Sequence, residues 1–163
     1  MIHILEGTIL IDNTELFLKK IREISKDKNI VIQALDADKL AGREHLMFAI
    51  EKAMNSFKTG RNIANDLAKE IMLYAAGTRQ ISRAIKIGIH NGKNNIALVA
   101  IGENIDLSGF DDITPCNVLQ YNDSKNRALM DIFNITEEEI NAVGSDKIPE
   151  LVLERVALVD VLK

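Results

Sequence analysis

The chain has 163 residues, of which 47% are hydrophobic and 27% charged, and its formal net charge at pH 7 is −4. Its apolar runs are too short to cross a membrane, its first residues lack the basic-then-apolar layout of a signal peptide, and its single cysteine, Cys116, rules out an intramolecular disulfide. We therefore expect a folded cytoplasmic protein that is neither secreted, membrane-spanning nor disordered.

The first half of the chain combines β-branched runs with amphipathic segments. In chain order, the patterns predict a strand or short hairpin over 2–11, a helix over 15–28, a strand over 30–35, and helices over 43–57 and 62–75. Asn13-Thr14 is the expected cap of the first helix, and Asn62 that of the third. Thr59-Gly60 and Gly77 are the expected stops of the second and third helices.

The second half contains the strongest strand signal. In chain order, the predicted elements are a helix over 79–90, a strand over 95–102, a strand over 116–121, a helix from Asp123 or Ser124, a short helix after Thr136, and a last helix over 149–162. The run 95–102 is continuously apolar, which indicates burial on both faces. We predict an α+β fold in one domain, 1–163, with a helical core over 43–90 packed against a small mixed β-sheet.

Charge is unevenly distributed along the chain. Residues 71–102 contain no Asp or Glu but four basic residues. On the predicted helix, Arg79, Arg83, Lys86 and His90 fall within an arc of about 60° and form a row about 16 Å long. Such a row suits several phosphates of a nucleic-acid backbone, and its alternative is a solvated helix face.

The start of the same predicted helix strengthens the phosphate interpretation. Backbone N–H groups from Thr78 onward and the positive end of the helix dipole favour an anion, and Gly77 permits close approach of the backbone. Antiparallel packing would return the row to the loop that contains Lys58 and Arg61. Because Tyr74 is the one aromatic residue near the row, we expect a local pocket rather than an extended stacking platform.

The last predicted helix is unusually apolar. Nine of the twelve residues from Leu151 to Leu162 are apolar and point almost all round the helix. Two alternatives follow: burial within this chain, or one side shared with another chain.

Candidates for catalysis are few. His3, His45 and His90 lack metal-ligand neighbours at helical spacing, and no phosphate-binding glycine loop, nucleophile elbow or CxxC motif occurs. We expect no metal and no cofactor. An enzyme built on Asp36, Asp38 or His90 is an alternative without a supporting motif.

A family resemblance is carried by two stretches in the middle of the chain. They read HLMFAIEKA from His45 and GRNIANDLAKEIMLYAAGTRQISRAI from Gly60. These stretches resemble the PRPK-binding protein family, whose members are small subunits of the KEOPS (EKC) complex. The most specific part is the run from Gly77 to Ile81, which follows a Glu-x-x-Leu-Tyr pattern.

The resemblance implies a non-catalytic role in tRNA modification. KEOPS installs a threonylcarbamoyl group on the adenosine beside the anticodon, and in this family the subunit binds the kinase-like ATPase subunit and engages the 3′ CCA end of tRNA. The other KEOPS subunits are implied as indirect partners. The implied RNA-binding residues are Gly77, Thr78, Arg79, Gln80, Arg83, Lys86, Lys58 and Arg61. The expected kinase contact is the last helix, at Leu151, Leu158 and Leu162. The alternative is a kinase-regulating interaction module that makes no contact with RNA.

Overall fold

The computed structural model describes residues 1–161, and within them the chain forms two compact units. Unit 1 consists of Met1–Ala37 and Gly88–Val118, and unit 2 of Asp38–Ile87 together with the chain from Leu119 onward. Helices and an antiparallel sheet are both present, which confirms the predicted α+β class. A single domain stays a prediction.

Unit 1 contains the sheet and one long helix. Its elements are β1 (Ile2–Ile11), α1 (Thr14–Lys28), β2 (Val31–Asp36), β3 (Gly92–Ile101) and β4 (Thr114–Pro115). The strand order is β2-β3-β1-β4, and Ile2 pairs with Ile101 where β1 meets β3. All pairings in the described residues are antiparallel, so the expectation of a mixed sheet was wrong.

The core of unit 1 follows the alternation of the strands. Ile96 and Leu98 of β3 pack with Phe17 and Ile21 of α1, because alternate strand residues point to one face of the sheet. The Asn13 side chain accepts a hydrogen bond from the Leu16 N–H, which confirms the predicted cap of α1.

The first strand of unit 1 matches one of its two predicted alternatives, and the last strand differs from its prediction. β1 is one continuous strand rather than a hairpin, and Gly7 is needed because a Cβ there would lie 2.1 Å from the Thr114 carbonyl oxygen of β4. The strand predicted over 116–121 was wrong, since β4 ends at Pro115. Pro115 has no backbone N–H to donate to a neighbouring strand. The Val118 N–H donates to the Glu6 carboxylate at 2.9 Å rather than to a strand carbonyl.

Unit 2 is helical. Its helices are α2 (Arg43–Lys58), α3 (Leu67–Ala75), α4 (Ile81–Ala84), α5 (Asn126–Phe133), α6 (Glu137–Val143) and α7 (Ile148–Leu158). A buried apolar cluster joins α5 to α7 through Leu129, Phe133, Ile148 and Val152. The capping box at Thr136 and the position of Pro149 in the first turn of α7 are both confirmed.

Three helices of unit 2, α3, α4 and α7, are shorter than predicted. α3 begins after an Asp66 cap rather than at Asn62, because the N–H groups of Ile63 and Ala64 donate to the Glu70 carboxylate. α7 ends at Leu158, and residues 159–161 form a turn in which the Val161 N–H donates to the Leu158 carbonyl. Within residues 1–161, no helix is long and apolar enough to cross a membrane. The cytoplasmic location stays a prediction.

Candidate nucleic-acid interface

The loop after α3 is a helix C-cap closed by glycine. Gly77 has φ +64°, its N–H donates to the Tyr74 carbonyl, and the Thr78 N–H donates to the Leu73 carbonyl, which is the Schellman pattern. These N–H groups are therefore already used. On the side where a Cβ would project, Gly77 lies against the Phe133 ring, and a Cβ there would be 3.1 Å from it.

The predicted helix over 79–90 was wrong in length. α4 covers Ile81–Ala84, and one 3₁₀ turn, Ile85–Ile87, follows it. Near His90 the Asn94 side chain accepts from the His90 N–H at 3.1 Å and donates to its carbonyl at 2.7 Å, so these groups are unavailable to a helix. The 16 Å row does not form, and a four-residue helix has few aligned peptide dipoles to attract an anion.

A groove in unit 2 nevertheless collects part of the predicted site. We call it the basic groove, and its volume is about 370 Å³. Its lining residues are Ala76, Gly77, Thr78, Arg83, Lys86, Asp131, Ile132, Phe133, Asn134 and Arg155. Four of these belong to the predicted set, whereas Asp131, Asn134 and Arg155 were missed because they come from α5 and α7, far away in the sequence.

The charges of the basic groove differ in how they are paired. Arg155 donates to both carboxylate oxygens of Glu139, at 2.7 and 2.9 Å, and these hydrogen bonds hold the pKa of Glu139 below its usual value. Within residues 1–161 the side chains of Arg83 and Lys86 are exposed and form no ion pair or hydrogen bond. The groove thus presents two unpaired cations to an anionic ligand.

The Thr78 side chain is a third polar group in the basic groove. Its hydroxyl oxygen accepts from the Gln80 N–H at 3.1 Å, which leaves the hydroxyl proton to donate. A threonine hydroxyl beside two cations is a common arrangement for holding phosphate oxygens.

The other four predicted RNA-binding residues lie outside the lining of the basic groove. Nη1 of Arg79 donates to the Val159 carbonyl at 3.0 Å, so Arg79 holds the chain just beyond α7. Gln80 is exposed immediately before α4, and Lys58 and Arg61 are exposed at and beyond the end of α2. The structure therefore divides the predicted set into four residues that line the groove and four that do not.

A second groove lies between α2 and α7. We call it the acidic groove, and its volume is about 500 Å³. Its lining residues are Glu44, Met47, Phe48, Glu51, Glu150, Leu153 and Glu154. The three apolar side chains are half-buried, and the four glutamates are exposed and form no ion pair within residues 1–161. This arrangement suits an apolar ligand that carries positive charge.

The leucines predicted for the kinase contact differ in how exposed they are. Leu151 is 8% exposed and packs in the cluster between α5 and α7, whereas Leu158 is 38% exposed at the end of α7. Leu162 lies outside the described residues. Leu153, which the sequence analysis did not single out, is the α7 leucine that lines the acidic groove.

His90 and Asp36, two of the residues considered for catalysis, line neither groove. His90 lies 3.6 Å from the buried Asp36 carboxylate, and Cys116 is exposed. Within residues 1–161, no group of three or more His, Cys, Asp or Glu side chains could hold a metal ion.

The family model described as "Kinase binding protein CGI-121" matches residues 11–160. The chain belongs to the CGI-121 family. This match confirms the resemblance stated from the sequence.

Two curated relatives are similar to this CGI-121 chain. The regulatory protein Cgi121 of Methanocaldococcus jannaschii is 35% identical over 139 residues, which cover 80% of this chain and 84% of the relative. The KEOPS complex subunit Cgi121 of Pyrococcus abyssi is 28% identical over 120 residues, which cover 73% of this chain and 59% of the relative.

Several residues in the stretches that carry the CGI-121 resemblance are structural. Glu70 is fully buried, and its carboxylate accepts from the Ser56 hydroxyl at 2.6 Å and from the Ala64 N–H at 2.7 Å. The Tyr74 hydroxyl donates to Asp160 at 2.5 Å, and burial together with this hydrogen bond raises the pKa of Tyr74. These bonds fix α3, and hence the loop at Gly77 that lines the basic groove.

His45 is a further structural residue of the family segment. It is 1% exposed, its Nδ1 lies 2.9 Å from the Ala41 nitrogen, and its Nε2 lies 2.8 Å from the Ala75 carbonyl. Burial lowers the pKa of His45 to about 4, so the ring is neutral at pH 7. In the neutral ring Nδ1 accepts and Nε2 donates, which ties α2 to the end of α3.

Proposed function

We propose that this chain is a non-catalytic KEOPS subunit that binds the kinase-like ATPase subunit. It also recruits tRNA by its 3′ CCA end for threonylcarbamoylation of the adenosine next to the anticodon. Kinase binding and membership of the KEOPS complex are supported by the description of its family and by the name of its relative from Pyrococcus abyssi. The tRNA part is supported by the basic groove.

The unpaired cations Arg83 and Lys86 are the observation on which the tRNA proposal rests. They would meet the phosphates of the terminal nucleotides, and the Thr78 hydroxyl would donate to the same oxygens. A groove of about 370 Å³ is a local pocket, which suits a single-stranded end rather than a duplex.

The four predicted residues outside the groove lining would act in other ways. Lys58 and Arg61 are exposed cations that would attract the acceptor stem. Gln80 is exposed before α4 and would contact the RNA at the edge of the groove, whereas Arg79 would hold the loop in place through Val159.

The acidic groove supports the kinase contact. Met47, Phe48 and Leu153 would bury apolar partner surface while the surrounding glutamates attract basic partner residues. Leu158 would extend this contact along the exposed end of α7. The acidic groove also favours the second candidate function, a kinase-regulating module that never touches RNA. Kinase binding at the acidic groove would not require the basic groove.

The tRNA proposal is tested by measuring the affinity of the purified chain for intact tRNA and for the same tRNA without its 3′ CCA, over a salt series. We expect trimming to abolish most binding, and the affinity for intact tRNA to fall as salt rises. Equal weak binding to both RNAs would mean that the groove attracts RNA nonspecifically and does not recognise the 3′ CCA end. Binding to neither would leave the kinase-only function.

The kinase contact is tested by charge reversal at the acidic groove. We expect Glu51→Lys with Glu154→Lys to weaken binding to the kinase-like subunit about tenfold at low salt. Glu138→Lys is the matched control, since Glu138 is exposed on α6 outside the groove. Unchanged kinase binding by the double variant, with a loss in Leu158→Arg, would move the contact to the end of α7.

A further inference from the structure

The basic groove contains a negatively charged side chain, Asp131, although the proposed ligand is itself a polyanion. Asp131 lies on α5, is exposed, and is the one acidic residue that lines the basic groove within residues 1–161. It forms no ion pair with Arg83, Lys86 or Arg155, and no hydrogen bond within the same residues. Its negative charge is therefore presented to whatever enters the groove.

A phosphate group next to this carboxylate would be repelled. The basic groove thus has two chemically distinct parts: the cations Arg83 and Lys86, which attract phosphate, and Asp131, which needs a hydrogen-bond donor from the ligand. A nucleotide satisfies both, because its phosphate is an acceptor while some of its bases carry amino donors.

The bases differ in what they offer a carboxylate. Cytosine and adenine each carry an exocyclic amino donor, at N4 and N6, whereas uracil has the O4 acceptor in the equivalent place. A carboxylate accepts from the two amino groups and opposes the uracil oxygen. A 3′ end made of cytosine and adenine therefore suits the groove, and one made of uracil does not.

Asn134 adds a more permissive group beside Asp131. It occupies the left-handed conformation at the end of α5, φ +52°, it is one of the lining residues of the groove, and its side chain is exposed and forms no hydrogen bond within residues 1–161. An amide both donates and accepts, so the Asn134 side chain can pair with any base edge. Discrimination between bases therefore depends on the Asp131 carboxylate.

We propose that Asp131 is a specificity-determining residue that accepts a hydrogen bond from the exocyclic amino group of a base at the RNA 3′ end. This inference rests on the proposed function, because it assumes that the terminal nucleotides enter the basic groove. It adds that the groove distinguishes bases by their hydrogen-bond donors, in addition to attracting phosphates.

The test compares two tRNA transcripts with one body, ending in CCA and in UUU, for binding to the full chain and to Asp131→Asn. We expect the wild-type chain to prefer CCA about tenfold and the variant to bind both within about twofold of each other, because an amide can donate to uracil O4. Glu138→Gln, which removes one exposed acid from α6, is the matched control and should keep the preference.

The outcomes separate this inference from the proposed function. Equal wild-type binding to both ends, abolished in both by Arg83→Glu, would refute the role of Asp131 and leave the RNA groove standing. A preference that survives in Asp131→Asn would also refute it. Failure of the wild-type chain to bind either transcript would overturn the tRNA proposal and the base discrimination together.

Discussion

The basic and acidic grooves lie on two sides of the same helix. α7 contributes Arg155 to the basic groove and the preceding Glu154, with Glu150 and Leu153, to the acidic groove. In the basic groove one arginine is neutralised by Glu139 while Arg83 and Lys86 are unpaired. In the acidic groove four unpaired glutamates surround an apolar floor.

This difference supports the proposal that one small helical unit serves two classes of ligand. Unpaired cations in a polar groove suit a phosphate backbone, and an apolar floor with an acidic rim suits a basic protein surface. The sites are built on shared helices but share no lining residue. Perturbing the common scaffold should therefore remove both activities, and perturbing one groove should remove one.

The largest expected effect is at Glu70, which belongs to the scaffold of both grooves. Glu70→Ala would leave the N–H groups of Ile63 and Ala64 without their acceptor, while the Ser56 hydroxyl would donate to the Ala53 carbonyl alone. We expect a loss of about 4 kcal/mol in the free energy of unfolding, measured by urea denaturation, and loss of both binding activities. Glu70→Gln keeps one acceptor oxygen and should lose about half as much. A loss below about 1 kcal/mol would show that the scaffold does not depend on this carboxylate.

The next effect is the pH dependence that His45 imposes on the same scaffold. The folded chain protonates His45 only near pH 4, whereas the unfolded chain does so near 6.5, so stability is full above pH 6.5 and falls toward pH 4. The contribution of this histidine is about 3 kcal/mol over that window.

The measurement is the free energy of unfolding against pH for the wild type and His45→Gln. The glutamine cannot titrate, so its profile should be flatter by that amount between pH 6.5 and 4, although carboxylates still contribute to both profiles. Parallel profiles would mean that His45 is not buried in its neutral form.

The smallest of the three effects separates the two grooves. Arg83→Glu with Lys86→Glu should weaken tRNA binding about thirtyfold and lower its salt dependence, because two phosphate contacts are lost. Binding to the kinase-like subunit should not change. Arg22→Glu on α1 in unit 1 is a control, since Arg22 is an exposed arginine outside both grooves. Equal loss of both activities would contradict separate sites.

Much of the fold was predictable where local signals dominate. The Asn13 cap, the Thr136–Glu139 capping box and the apolar run of β3 each act within a few residues, and each is confirmed. The predictions failed where a side chain outside the local pattern competes for backbone groups, whether it lies a few residues away or far along the chain. Glu70 takes the N–H groups that would have begun α3 earlier, and Glu6 takes the Val118 N–H.

The candidate site was only partly predictable, because tertiary packing brings several of its residues together. Arg83 and Lys86 stood out because the surrounding segment contains no acidic residue. Helical spacing alone also included Arg79 and His90, which the structure places outside the groove lining, at Val159 and Asp36. Asp131, Asn134 and Arg155 carried no sequence signal that linked them to this segment, since tertiary packing alone brings them to the groove.

The most direct test of the two-site account is methyl NMR of the full chain during titration with a tRNA minihelix that ends in CCA. Ile132 lines the basic groove and Met47 the acidic groove, so each methyl group reports on one site. The account predicts that the RNA shifts the Ile132 signals and leaves Met47 unchanged, and that the kinase-like subunit does the reverse. A minihelix that shifts Met47 while Ile132 stays still would contradict it.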